Sequence, residues 1–259
     1  IGLTLIGIFI GFIQPFINYV ILKRTTLLDK ETRTAVATQY GSISIVTFVT
    51  TLTFLNERSV PYDSFMLAVA GILEIPALFS GLWLLKKEQN VRSTSIIHSV
   101  IHIAQPVFAC KKLSFIFIGF FVGLALRNYH GGLIHTAIIS PFNLILILFM
   151  IDIGIKIAQQ RDSIYQFRPF LIAFGIYMPI IYGCIGVLIG NALGLYIGTT
   201  ILFAVLMASA SYIAVPAVMS TQTKNAKEAI YMPMALGITL PFNILVGIPI
   251  FYYLANYLK

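Results

Sequence analysis

Two short stretches set paired serines in otherwise apolar sequence: Ser42 and Ser44 in YGSISIVT (40–47), and Ser209 and Ser211 in ASASYIA (208–214). A serine hydroxyl both donates and accepts a hydrogen bond, so two such pairs brought face to face can surround a small ion with oxygen atoms and O–H donors. The second pair lies in a run without charged residues from Pro169 to Gln222. Each pair is followed, one apolar segment later, by a proline with polar neighbours. Pro76 in LEIPALFSG stands 32 residues beyond Ser44, and Pro241 in TLPFNILVG stands 30 beyond Ser211.

Small side chains let two helices cross closely, and interrupting each helix at the crossing frees backbone N–H and C=O groups. Half-helix N-termini then suit a small anion, and the carbonyl ends suit a cation. The alternative is that serine and alanine only pack, each hydroxyl bonding back to a carbonyl one turn earlier. Glu74 is the one acid at the middle of an apolar segment. Burying it costs about 2.5 to 3.5 kcal/mol unless it is paired, protonated or wet, which makes it a candidate for ion coupling or proton balance beside a purely structural role. Tyr212, Thr239 and Asn243 complete the ion-coupling candidates, Asn243 standing close enough to Pro241 either to reach the crossing or to bond a neighbouring helix. Asp152 and Lys156 are spaced as a surface pair on a helix. His98 and His102 have the i, i+4 spacing of a metal pair without a nearby Cys or carboxylate ligand, and their surroundings read as an interfacial amphipathic helix. Every histidine lies in or beside a loop and no HExxH occurs, which argues against an intramembrane enzyme. Cys110 and Cys184 form no CxxC and read as packing residues.

The elements that must position these residues are membrane helices. Hydrophobic residues make up 58% of the 259-residue chain and charged residues 10%, with a mean hydropathy of +0.92. Segments of spanning length recur at 1–22, 34–55, 64–85, 133–151, 169–190, 195–219 and 229–256, with a shorter eighth at 113–126. Barrel strands would be shorter and alternating, so the fold class is an all-α polytopic membrane protein. The loops 23–33, 86–112, 156–168 and 220–228 hold 14 Lys and Arg, and the alternate connections with the C-terminus hold 3. The rich loops are placed in the cytoplasm by that asymmetry. The net charge of +8 is then topological, and no basic cluster interleaved with aromatics points to nucleic acid.

The chain opens at Ile1 inside a spanning segment, which reads as a truncated start. The repeated serine-pair-then-proline order divides it into residues 1–87, with three helices, a cytoplasmic linker 88–112, and residues 113–259, with five. Repeats with an odd number of helices are inverted, so the serine segments enter from opposite sides and meet near the midplane. The first repeat is then two helices short.

YGSISIVTF, LEIPAL, the Met150–Ile151–Asp152 helix end and ASASYIAVP, in this order and spacing, resemble the sodium-dependent bicarbonate transporter family of bacteria (SbtA-type permeases). The resemblance covers essentially the whole chain. It implies an inverted-repeat transporter fold of ten helices, of which eight are present here, with two interrupted crossing helices. It implies uptake of bicarbonate with Na+ as coupling ion and no other cofactor, a homotrimer in the bacterial cytoplasmic membrane, and PII-like cytoplasmic regulators. Carried onto this sequence, the site falls at Gly41, Ser44 and Thr47 on one arm and at Ser209, Ser211 and Pro216 on the other, with Ser42 as an additional hydroxyl. Ile45, Val46, Tyr212 and Val215 depart from the family pattern. Carriers of another small anion or carboxylate, and anion channels, share such architectures.

Overall fold

The computed structural model describes residues 2–88, 169–223 and 225–259, together with scattered positions between 118 and 159. His98, His102, Cys110, Lys156 and the linker 88–112 beyond its first residue lie outside the described residues, as do most of the expected spans 113–126 and 133–151. The described residues fold entirely as helices and loops. Among the described residues, four helices are long and apolar enough to cross a membrane: α1 (Gly2–Thr25), α4 (Met66–Glu88), α5 (Pro169–Ala192) and α8 (Glu228–Tyr257). Each coincides with an expected span to within a few residues.

Two further expected spans, 34–55 and 195–219, are each split in two. The first runs as α2 (Lys30–Gln39) and α3 (Ile45–Glu57), broken at 40–44. The second runs as α6 (Ile197–Ala208) and α7 (Ala214–Gln222), broken at 209–213. The pattern of continuous helix, broken helix, continuous helix therefore occurs twice. Local signals fix the ends. Asp29 caps α2 by accepting from Thr32 N at 2.8 Å, and Ser44 caps α3 by accepting from Thr47 N at 3.3 Å, each satisfying an otherwise orphaned donor. Lys23 with Arg24, and Lys86 with Lys87, occupy the last turns of α1 and α4, where cations complement the helix dipole.

The two broken helices run in opposite directions. Where α2 starts, Thr32 Oγ1 accepts from Lys227 N at 2.9 Å and Glu31 Oε1 from Asn225 Nδ2 at 3.3 Å, both from the loop after α7. Beyond the end of α3, Asp63 N donates to Thr199 Oγ1 at 2.9 Å, and that hydroxyl donates to Asp63 Oδ2 at 2.8 Å, at the start of α6. The basic loops 23–33 and 220–228 thus meet at one end, and the basic-poor 56–63 connection meets the start of α6 at the other. This is the pairing that alternation across a bilayer requires.

Burial follows the same plan. Every residue of α6 from Gly198 to Ala208 is buried, as expected of a helix apolar all round. α1, α5 and α8 instead turn Phe9, Leu188, Leu245 and other large apolar side chains outward, toward where lipid lies. Gly186 lets α5 lie against α6, for a β-carbon there would stand 2.6 Å from Ala204 Cα. Within α8, two π-helical stretches, Met234–Thr239 and Asn243–Gly247, flank Pro241. Widened turns accommodate the donor that each of Pro241 and Pro249 removes.

Candidate functional site

The breaks meet main chain to main chain. Ser211 N donates to Gln39 O at 2.9 Å, and Ser44 N donates to Ser209 Oγ at 3.0 Å. The Ser209 hydroxyl in turn donates to Leu206 O at 2.9 Å, its own helix's last turn. Ser44 Oγ accepts from both the backbone N and the hydroxyl of Thr47, the latter at 2.9 Å, so its own proton remains for a further partner. Ser42 and Ser211 are held less firmly: Ser42 Oγ donates to Glu74 O, and Ser211 Oγ accepts from Val215 N, each at 3.4 Å. Gly41, Ser42, Ser44, Thr47, Ser209 and Ser211 are thus brought to one buried crossing. Gly41 packs the first break onto α1, since a β-carbon there would lie 2.6 Å from Cδ and Cγ of Pro15.

The carbonyls stranded at the half-helix ends are met by side-chain amides from the continuous helices. Asn18 Nδ2 donates to Ala37 O at 3.3 Å, and Gln14 Nε2 donates to Met207 O at 3.2 Å, both from α1. Asn243 Nδ2 of α8 donates to Ala208 O at 2.9 Å. Tyr182 OH fixes Asn18 by donating to its Oδ1 at 2.8 Å. Sequence reasoning missed Gln14, Asn18, Gln39 and Tyr40. For the three amides the available signal was a neutral amide inside an uncharged span, a residue that lipid tolerates only with a partner.

The ion-coupling candidates divide between the arms. Thr239 donates to Gly175 O at 2.8 Å and accepts from Tyr40 OH at 2.6 Å, Tyr40 lying in the first break. Asn243 serves the second break through Ala208. Glu74, 7% exposed, reaches the first break through its own carbonyl and Ser42. Tyr212 has Ser44 and Glu74 as polar neighbours, but its hydroxyl makes no hydrogen bond of acceptable geometry.

Three buried groups at or beside the crossing are left with unsatisfied atoms: both amide atoms of Gln39, the Tyr212 hydroxyl and Asn243 Oδ1. Such orphans are rare in folded proteins, and a ligand, an ion or a water molecule at the crossing would satisfy them. None of the residues named at the crossing is Lys or Arg, so the positive field there comes from the α3 and α7 N-termini. Among the described residues no cluster of His, Cys, Asp and Glu could hold a tightly bound metal. The available oxygens are carbonyls, hydroxyls and amides, a hard and weakly charged set suited to a passing alkali ion.

The sequence profile of the Na+-dependent bicarbonate transporter superfamily matches residues 1–256. The chain belongs to that superfamily. No curated protein matches it. As a member of the Na+-dependent bicarbonate transporter superfamily, it is a multi-pass membrane protein of a transporter family, and the paired broken helices are the feature that sets its polar groups inside the span.

Proposed function

We propose that the protein carries bicarbonate into the cell together with Na+, by alternating access, across the cytoplasmic membrane of a bacterium. The observation that carries this reading is the buried crossing itself, where two antiparallel broken helices aim two N-termini and a set of unpartnered polar atoms at one place without a fixed cation. Bicarbonate is bound by Gly41, Ser42, Ser44, Thr47, Ser209 and Ser211. The remaining main-chain donors at the starts of α3 and α7 supply hydrogen bonds, and the Ser44 hydroxyl donates one more. Glu74, Tyr212, Thr239 and Asn243 line the route of the coupling ion.

Coupling solves an electrical problem. A negative interior opposes entry of a monovalent anion by about 2.3 kcal/mol per 100 mV, whereas co-entry with one Na+ is neutral. Residues 1–87 and 113–259 act as inverted repeats joined by the linker 88–112. In this reading the crossing arms travel as one body, because their backbones are bonded to each other. A homotrimer and a PII-like cytoplasmic regulator belong to the same proposal, on the strength of the resemblance alone.

The test is uptake of labelled bicarbonate by full-length protein with and without a sodium gradient. Sodium-driven accumulation is expected. Passive equilibration would indicate an anion channel, and accumulation of another anion that bicarbonate fails to inhibit would indicate a different carrier.

A further inference from the structure

We propose that the primary amide of Gln39 reads the protonated edge of hydrogencarbonate and so sets the anion selectivity of the crossing, an inference that rests on the bicarbonate reading above. Gln39 is the last residue of α2 and is fully buried. Its carbonyl receives Ser211 N–H. Thr32 stands seven residues earlier, about two helical turns below on the same stripe, and it faces the second arm by accepting from Lys227 N. That stripe directs Gln39 toward the start of α7, which packs on α2. There neither Oε1 nor Nε2 has a hydrogen-bond partner. The first turn of the nine-residue α7 has no side-chain cap from Ile213, and Val215 N reaches Ser211 Oγ only at 3.4 Å. Pro216 carries no N–H and Ala217 N is bonded to Ile213 O, so the first-turn donors of α7 are Ala214 N and the weakly held Val215 N, and they share one buried place with an amide that has two open positions.

The chemistry of the amide selects among the small ions that could enter. A primary amide donates through nitrogen and accepts through oxygen along one edge. Hydrogencarbonate presents the matching edge, an O–H beside an anionic oxygen, and leaves its third oxygen for the Ala214 and Val215 N–H groups at the start of α7. A sodium ion would engage Oε1 and leave Nε2 without an acceptor. Chloride would engage Nε2 and leave Oε1 without a donor. Nitrate has the same planar shape and charge as hydrogencarbonate but no O–H, so it sets a lone pair against Oε1. A site that hydrogen-bonds a substrate hydroxyl rejects the analogue lacking it strongly, because the buried acceptor is then unpaired.

The experiment measures sodium-driven uptake of labelled bicarbonate, and its inhibition by nitrate, for full-length wild type, Gln39→Leu and Gln39→Asn. Nitrate should inhibit the wild type poorly. In Gln39→Leu the KM for bicarbonate should rise by about tenfold or more while the inhibition constant of nitrate stays nearly constant, so that the preference for bicarbonate falls by the same factor. The melting temperature should hold or rise, since an unpaired polar group leaves a buried place. Gln39→Asn keeps the amide one methylene short and should lower the preference in the same direction, which decides the matter if the leucine variant does not fold. An unchanged preference in the folded variant would show that Gln39 fills space or holds a water molecule, and would overturn the inference alone. Failure of the wild type to accumulate bicarbonate would overturn the function reading, and this inference with it.

Discussion

Ser44 N and Ser209 Oγ, 165 residues apart in the chain, are joined at 3.0 Å, so the N-terminus of α3 is held by the residue that ends α6. The bond gives Ser209 a share in the scaffold besides its proposed place in the site. Ser42 and Ser211, whose hydroxyls hold only 3.4 Å contacts, are free to exchange them.

This difference predicts two classes of alanine variant. Ser209→Ala leaves the buried Ser44 N–H without its acceptor and should lower stability by about 1–3 kcal/mol, with uptake falling in step. Ser42→Ala and Ser211→Ala should melt close to the wild type, yet each should weaken uptake by roughly ten- to a hundredfold, the loss of one hydrogen bond to a charged ligand. Thermal melts and initial uptake rates on the same preparations separate the classes. Normal transport by both Ser42→Ala and Ser211→Ala would remove those hydroxyls from the site.

Replacing an amide that meets a stranded carbonyl should act on folding. Asn243→Leu leaves Ala208 O without its donor and Gln14→Leu does the same to Met207 O, each at an expected cost of about 1–3 kcal/mol. The decisive observation is a reduced melting temperature without sodium or bicarbonate present. A melt as high as wild type for both would mean that water meets these carbonyls equally well.

Gly41→Ala forces a β-carbon to 2.6 Å from the Pro15 ring. Overpacking of that kind typically costs 1–3 kcal/mol. Because the break rests on that ring, expression and uptake should fall together, and pairing the change with Pro15→Ala should recover part of both.

Glu74 bears on coupling. With its carbonyl on Ser42 and Tyr212 among its polar neighbours, Glu74→Gln should change the sodium dependence of uptake far more than yield or melting temperature. An unaltered sodium curve would assign Glu74 to structure.

The spans were readable because bilayer thickness fixes their length, and the breaks because small polar residues inside an apolar run have few other uses. Ser-x-Ser located both arms to within a residue or two. The opposite direction of the arms followed from counting helices, and the Thr32–Lys227 and Asp63–Thr199 contacts agree with it. The partners of the stranded carbonyls were not readable, since an isolated Gln14 or Asn18 in a span has the same local sequence whether it bonds a neighbour or its own helix. Nor were the π-helical stretches around Pro241, since a proline inside a helix can be met by a kink as well as by a widened turn.

The main-chain link from Ser211 N to Gln39 O bears on how the protein can evolve. Peptide N–H and C=O groups are present whatever side chains a sequence carries, proline's missing donor apart, so drift within the breaks leaves the two ends bonded and the helix N-termini still aimed at one point. What substitution at Ile45, Val46, Tyr212 or Val215 can alter is the rim around that point. Lineages are therefore expected to diverge in which anion they prefer before they lose the capacity to hold one.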